Sequence, residues 1–309
     1  MELNKFTKPE NVQLVTNPYG RSDSKKRKGI IVSGIWSDSI TSYIRENNIR
    51  AVYLNSAHGW SDVDYGFLAG LNTIEELHII SAVANNLSSI EKMTSLVELS
   101  ITASTKDEID FQKLSALKKC YLYWWAGAES ILNCNDVEIL YLDRFKIKDL
   151  SSLKKINKIK SLTIANSNID NIDWLMDFHH LIELELINCK KINCFDSIKN
   201  CYLIKKLAIS GARTLNNIEF LSMLSELEIL VLSDCSEIDS IAVVSNLNNL
   251  KAFSFAGNTS IKDGDLGPLV DLPKLAMLMF QERKHYTHRL VKKWNWENFN
   301  NPSKLLVNR

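Results

Sequence analysis

Apolar residues recur along this chain in a fixed motif. In LEILVLSDCSEIDSIAVVSNL (227–247), Leu227, Leu230 and Leu232 form an LxxLxL core, and Cys235, Ile238, Ile241, Val244 and Leu247 follow at steps of three. The two closely spaced leucines predict a short strand with one inward face, because side chains alternate across a strand. Steps of three suit turns and short 3₁₀ segments better than long α-helices. The same spacing returns in IDNIDWLMDF (169–178), at Ile169, Ile172, Leu175 and Phe178. One such unit cannot bury its own apolar face; it has to stack on copies of itself.

The copies are countable. Cores begin at Ile49, Ile74, Leu96, Leu117, Val137, Ile159, Leu181, Ile204, Leu227, Leu250 and Leu275, at intervals of 20 to 25 residues. The shortest and least regular unit is LKKCYLYWWAGAESILNCND. Upstream, GIIVSG (29–34) predicts a strand, and Ser37 or Asp38 caps a helix through SITSYIRENN with Ile40, Tyr43 and Ile44 on one face. Downstream, Gly264, Gly267, Pro268 and Pro273 mark the last full unit, before a closing strand at 275–280. The expected organisation is a lead-in with a capping strand and helix over 1–48, about ten to eleven repeats over 49–280, and a C-terminal cap and tail over 281–309. Terminal units of a stacked array need such covers to stay soluble. The tail aromatics Trp294, Trp296 and Phe299 pack an amphipathic segment on the final coil, or the tail is partly disordered.

The cores that continue into Cys or Asn and then Ile, as in LELINCKKI (184–192), LVLSDCSEI (230–238) and FSFAGNTSI (253–261), resemble bacterial leucine-rich repeat proteins. The period is close to the 22-residue class of internalins and of regulatory subunits of protein phosphatase 1. The likeness covers roughly residues 49–280. GWSDVDYGFLAGL (59–71) and the segment 263–289 are similar to the terminal regions of a further group of cytoplasmic bacterial leucine-rich repeat proteins. The resemblance implies an α/β fold: a right-handed leucine-rich repeat solenoid, or horseshoe, with a parallel concave sheet and short helical or 3₁₀ convex segments. It also implies macromolecular binding on the concave face and no inherent activity. Secreted internalins carry a signal peptide and surface anchors; neither is visible in this chain.

Composition narrows the partners. Lys and Arg number 37 against 36 Asp and Glu, a net charge of +1, so nothing global points to nucleic acid or an anionic membrane. The opening MELNKFTKPENVQLV has no apolar h-region and no apolar run has the length of a membrane span, so the expected compartment is the cytoplasm. SDSKKRK (22–28) is a short basic cluster that reads as a solvated linker. Cys189 and Cys235 share the slot after the strand, Cys120 and Cys201 take apolar slots, and no Cys/His spacing matches a zinc site.

Candidate chemistry sits on the outward strand positions. The middle outward column reads Tyr53, His78, Ser100, Tyr121 and Tyr141 through the first five repeats, and Tyr123 and Asp143 follow in the next column. With Trp124, Trp125 and Arg144 beside them, these form an expected partner-binding set: Tyr53, His78, Tyr121, Tyr123, Trp124, Trp125, Tyr141, Asp143 and Arg144. Exposed Tyr, Trp and Arg dominate protein interface energies. Trp124 and Trp125 read equally as core of the irregular fourth repeat. The later half of the concave face carries the small side chains Ala208, Ser210, Ser233, Ser254 and Ala256, an ordinary surface. His285 and His288 in KHYTHR are the best metal or acid–base candidates, though no ligand falls at metal spacing around them. His179–His180 and the pair Glu183 and Glu185 read as surface, no Ser/His/Asp set can be assembled, and no phosphate loop is present.

The sequence therefore predicts a non-enzymatic, monomeric protein-binding module without cofactor or metal. Its partner is another protein on the concave face, as for an immunity or regulatory protein that neutralises a toxin or enzyme. The alternatives are a catalytic or metal site in the C-terminal cap around His285 and His288, and a cell-surface adhesin.

Overall fold

The computed structural model describes residues 7–16, 27–146, 156, 158–290 and 305–308. Residues 22–26 of the basic cluster and the aromatics Trp294, Trp296 and Phe299 lie outside them. The chain divides into two compact units, Met1–Leu140 and Tyr141–Arg309.

In the first unit, β1 (Val12–Thr16) pairs antiparallel with β2 (Lys28–Val32), and from β2 onward the pairing is parallel. The parallel strands are β3 (Ala51–Asn55), β4 (Glu76–Val83), β5 (Glu98–Ser104) and β6 (Lys119–Tyr123), in sequence order. The predicted helix is α1 (Asp38–Glu46); it begins after Ser37 and buries Ile40, Tyr43 and Ile44. In the segment 59–71, Trp60 donates its indole N–H to the Tyr65 hydroxyl at 2.8 Å, and Phe67 stacks on Trp36 with centroids 4.1 Å apart.

The unit boundary falls within β7 (Ile139–Asp143). The second unit continues with β8 (Ser161–Ala165), β9 (Glu183–Ile187), β10 (Lys206–Ser210) and β11 (Ile229–Ser233). β12 (Glu237–Ile238) leaves this sheet and pairs with β14 (Ser260–Ile261), while β13 (Ala252–Ala256) and β15 (Met277–Phe280) extend it. β16 (His288–Leu290) and β17 (Leu306–Asn308) form a separate antiparallel pair.

Stacking of like on like builds the core. Leu207 of β10 lies in register with Leu184 and Leu230, and Ile209 with Leu186 and Leu232; all six are buried. Each such side chain contributes about 1.5–3 kcal/mol when fully withdrawn from water. The steps of three come from consecutive three-residue closures. Val244 N–H bonds to Ile241 C=O, Leu247 to Val244 and Leu250 to Leu247, at 2.9–3.0 Å, so each third residue returns to the core.

Strand exits share one conformation. Arg144, Asn166, Asn188, Gly211, Asp234 and Gly257 all have positive φ, between 50° and 73°. Their neighbours are joined by backbone bonds, from Asn166 N–H to Ile187 C=O and from Asn188 N–H to Ser210 C=O, both at 2.7 Å. Asn and Asp tolerate this left-handed region and Gly enters it freely. The next slot points inward: Cys189 and Cys235 direct their thiols to the carbonyls of Ile164 and Ile209, both at 3.4 Å.

Candidate functional site

Of each strand's outward positions, those in the first unit carry the richest chemistry, and several of them are not exposed. Tyr53 and His78 are outward by alternation yet 1% and 4% accessible, which corrects the expectation that they form an exposed binding surface. The physical reason is local. Gly29 leaves space for the Tyr53 ring, whose nearest ring carbon would stand 2.9 Å from a Cβ at that position. Ile31, Ala51 and Tyr53 cluster there, with Val15 of β1 packed against them.

Around Tyr53 lies a polar network. Its hydroxyl donates to Glu76 Oε1 at 2.7 Å, its ring stacks on His78 with centroids 5.0 Å apart, and His78 Nε2 reaches the same Glu76 oxygen at 3.0 Å. Glu98 Oε1 stands 3.8 Å from His78 Nε2, and Lys119 Nζ is 3.9 Å from Glu98 Oε2. Arg27 binds Glu75 Oε2 through Nε at 3.0 Å and Glu76 Oε2 through Nη1 at 3.2 Å. Burial pushes the Glu76 carboxyl up, but hydrogen bonds from His78 and Tyr53 and the charges of His78 and Arg27 hold it below its ordinary value. Burial likewise lowers Arg27, and Glu75 and Glu76 outweigh it and raise it. Sequence reasoning named Tyr53 and His78 and missed Arg27, Glu76, Glu98 and Lys119. Their signal is an outward column of Glu76, Glu98 and Lys119 flanking His78 on adjacent strands.

The remaining aromatics of this unit divide. Tyr121 and Tyr123 on β6 are half-buried, on rigid strand positions. Trp124 is buried, so its ring belongs to the core. Trp125 is half-buried and donates its indole N–H to Asp107 C=O at 2.8 Å, with its ring 6.4 Å from Phe111. The irregular fourth repeat packs tightly against the preceding one: a Cβ at Gly127 would collide with Asp107 C=O.

In the second unit, Tyr141 is half-buried, and burial, then the charges of Asp143 and Glu185, raise its hydroxyl above the ordinary value. Asp143 accepts from Asn166 Nδ2 at 2.7 Å, and Arg144 is exposed at φ 56°. Glu185 pairs with Lys206 at 2.5 Å and Glu183 accepts from Ser161 Oγ at 3.0 Å, so both predicted surface carboxylates have partners. His285 Nε2 lies 2.8 Å from Ile261 C=O and its ring contacts Tyr286; His288 Nδ1 lies 2.8 Å from Thr287 Oγ1. Among the described residues, the group with three metal-competent side chains is Glu76, His78 and Glu98 rather than this histidine pair.

The in-register leucine columns, the 3₁₀ closures and the left-handed strand exits define a leucine-rich repeat solenoid of the α/β class. Among solved structures, the chain is similar to a leucine-rich repeat protein of Leptospira interrogans, at 14% identity over 82% of this chain and 78% of that one, with a TM-score of 0.54. It is also similar to an internalin of Listeria monocytogenes, at 17% identity over 82% and 87% of the two chains, with a TM-score of 0.49. A second Listeria monocytogenes internalin, of the C2 type, gives 19% identity over 69% and 83%, with a TM-score of 0.47. No protein-family model matches the chain, and no curated protein matches it. Among the described residues, no helix is long and apolar enough to cross a membrane.

Proposed function

We propose that this chain is a protein-binding leucine-rich repeat module without catalytic activity, working through the open face of its sheet. The observation that carries the reading is the pair of half-buried tyrosines fixed on one strand of the first unit, Tyr121 and Tyr123 on β6; in the second unit, Tyr141 is a half-buried tyrosine of the same kind on β7. A side chain held by a strand loses little conformational freedom on binding, and tyrosine offers a large apolar area with a polar tip. Asp143 and Arg144 supply charge for orientation. Tyr53, His78 and Trp124 drop from the contact set because they are buried. The near-neutral charge favours a protein over a nucleic acid or an anionic membrane. The finer reading is a monomeric cytoplasmic immunity or regulatory protein that neutralises a toxin or enzyme, with segments 1–48 and 281–309 covering the ends of the repeats.

Affinity capture from the native host's lysate tests this, with wild type compared to a Tyr121→Ala/Tyr123→Ala/Tyr141→Ala variant that circular dichroism shows to be folded. One protein retained by wild type and lost by the variant supports the open-face reading, and its identity names the function. Equal capture by both forms, or capture by neither, overturns it.

A further inference from the structure

The network of β4 and β5 carries a chemistry that the tyrosine surface does not use. His78 Nε2, one carboxylate oxygen of Glu76 and one of Glu98 lie within 4.8 Å of one another, and all three side chains are buried. Their convergence has a cause. Arg27 and Lys119 address the Oε2 atoms of Glu76 and Glu98, at 3.2 and 3.9 Å, while the Oε1 atoms face His78 Nε2, at 3.0 and 3.8 Å. Arg27 holds Glu76 by a hydrogen bond, as outer groups commonly orient ligand carboxylates, whereas Lys119 acts on Glu98 by charge alone at 3.9 Å. An ionised carboxylate only accepts, so His78 presents an Nε2 proton to Glu76 in this arrangement. That proton occupies the place a cation would take.

We propose that Glu76, His78 and Glu98 bind one divalent transition metal ion of the zinc class. One imidazole nitrogen and two carboxylate oxygens are a three-ligand set that such an ion accepts, with a further position left for water or the Tyr53 hydroxyl. The imidazole argues against calcium and magnesium, which take oxygen ligands, and the absence of sulfur from the set argues against copper(I). Zinc–nitrogen and zinc–oxygen distances of about 2.0–2.2 Å place His78 and Glu76 near their present separation. Glu98 has to move inward. Two carboxylates neutralise the dication once the Nε2 proton has left or moved to Nδ1, and Arg27 keeps Glu75 as its partner at 3.0 Å.

The test uses the full chain, stripped with a chelator, dialysed and titrated with zinc chloride in a calorimeter. The expected result is one zinc ion per chain, with affinity lowered at least about 100-fold by His78→Gln or Glu98→Gln, since loss of a ligand should exceed the roughly 10–100-fold cost of losing an outer-shell partner. Cys194→Ser and His288→Ala, neither of them among the three proposed ligands, leave it unchanged. Zinc-edge X-ray absorption of the wild type should read one imidazole and oxygen donors. Absence of stoichiometric binding, undiminished affinity in the folded His78→Gln variant, or sulfur in the shell overturns the proposal. If either variant proves unfolded by circular dichroism, the wild-type absorption spectrum decides alone. None of these readouts involves a protein partner, so the outcome is independent of the binding function.

Discussion

Gly211→Ala isolates the strand-exit ladder that organises the second unit. Gly211 sits at φ 73°, and an L side chain in this region costs roughly 1–2 kcal/mol. The new Cβ would also lie 2.5 Å from Asn188 Oδ1 and 3.2 Å from Asn188 Cα. Oδ1 is the free end of a side chain and can swing away. However, Asn188 Nδ2 donates to Asn166 Oδ1 at 3.0 Å, and the swing releases that bond, worth about 0.5–1.5 kcal/mol. The expected total is about 2–3 kcal/mol. In an Asn188→Gly background the side-chain obstruction and the bond to Asn166 are both gone and only the 3.2 Å contact with the Cα of residue 188 remains, so Gly211→Ala should cost little beyond the backbone part, about 1–2 kcal/mol. The coupling between the two sites is then about 1 kcal/mol. Guanidinium unfolding of the four proteins, followed by circular dichroism and tryptophan fluorescence, measures it, provided the two probes coincide. A cost below about 0.5 kcal/mol would refute the backbone argument. Equal costs in both backgrounds would refute the contact with Asn188.

Three further outcomes are expected. The folded-state value of the Glu76 carboxyl lies below its ordinary 4.5, so its stabilising contribution is full above that pH and is lost as pH falls through the depressed value; Glu76→Gln should therefore lose less stability than wild type on acidification below 4.5, and parallel urea midpoints would contradict this. Trp125→Phe keeps an aromatic ring but removes the indole donor to Asp107, and should cost at least about 1 kcal/mol in thermal unfolding; no loss would mean that this bond does not stabilise the repeat. Burial pushes the Cys189 thiol up to about 11 and the Cys201 thiol up to about 12, whereas Cys194 is exposed; iodoacetamide at neutral pH should therefore modify Cys194 first by mass spectrometry, and early labelling of Cys189 or Cys201 would show that their repeats open readily.

The repeat architecture was legible because a stacked array has to restate its core in every unit. Each of the eleven leucine-type starts, from Ile49 to Leu275, is followed two residues later by an observed strand. Steps of three became 3₁₀ turns such as Asp173–Asp177 for the same reason: each third residue must return to the core. The strand-exit ladder was also present as Asn166, Asn188, Gly211, Asp234 and Gly257, but its signal is conformational and does not register in hydrophobic spacing. The binding face was harder to read. Alternation assigns a side chain to a face of the sheet and says nothing of whether that face is covered. Tyr53 and His78 were therefore placed on the correct face with the wrong exposure, and β1, whose Val15 packs on Tyr53's cluster, has no repeat register to announce it.

The same strand positions produce two different kinds of ion pairing, and the difference identifies where the fold is most sensitive. In the second unit, Lys206 and Glu185 pair at 2.5 Å with side chains 35% and 25% exposed, so water screens them. Such pairs are worth about 0–1 kcal/mol, and truncating either partner should leave the fold intact. In the first unit, Glu76, His78 and Glu98 occupy comparable outward positions with side chains 6%, 5% and 1% exposed. Removing one partner of a buried pair strands the other's charge and costs about 3–5 kcal/mol. Repeat stacking requires only the inward column; it does not require two buried carboxylates around a buried histidine on the outward one. Apolar residues of similar volume would serve stability at least as well there. The network is therefore the place in this solenoid where side-chain chemistry departs furthest from what the fold itself demands.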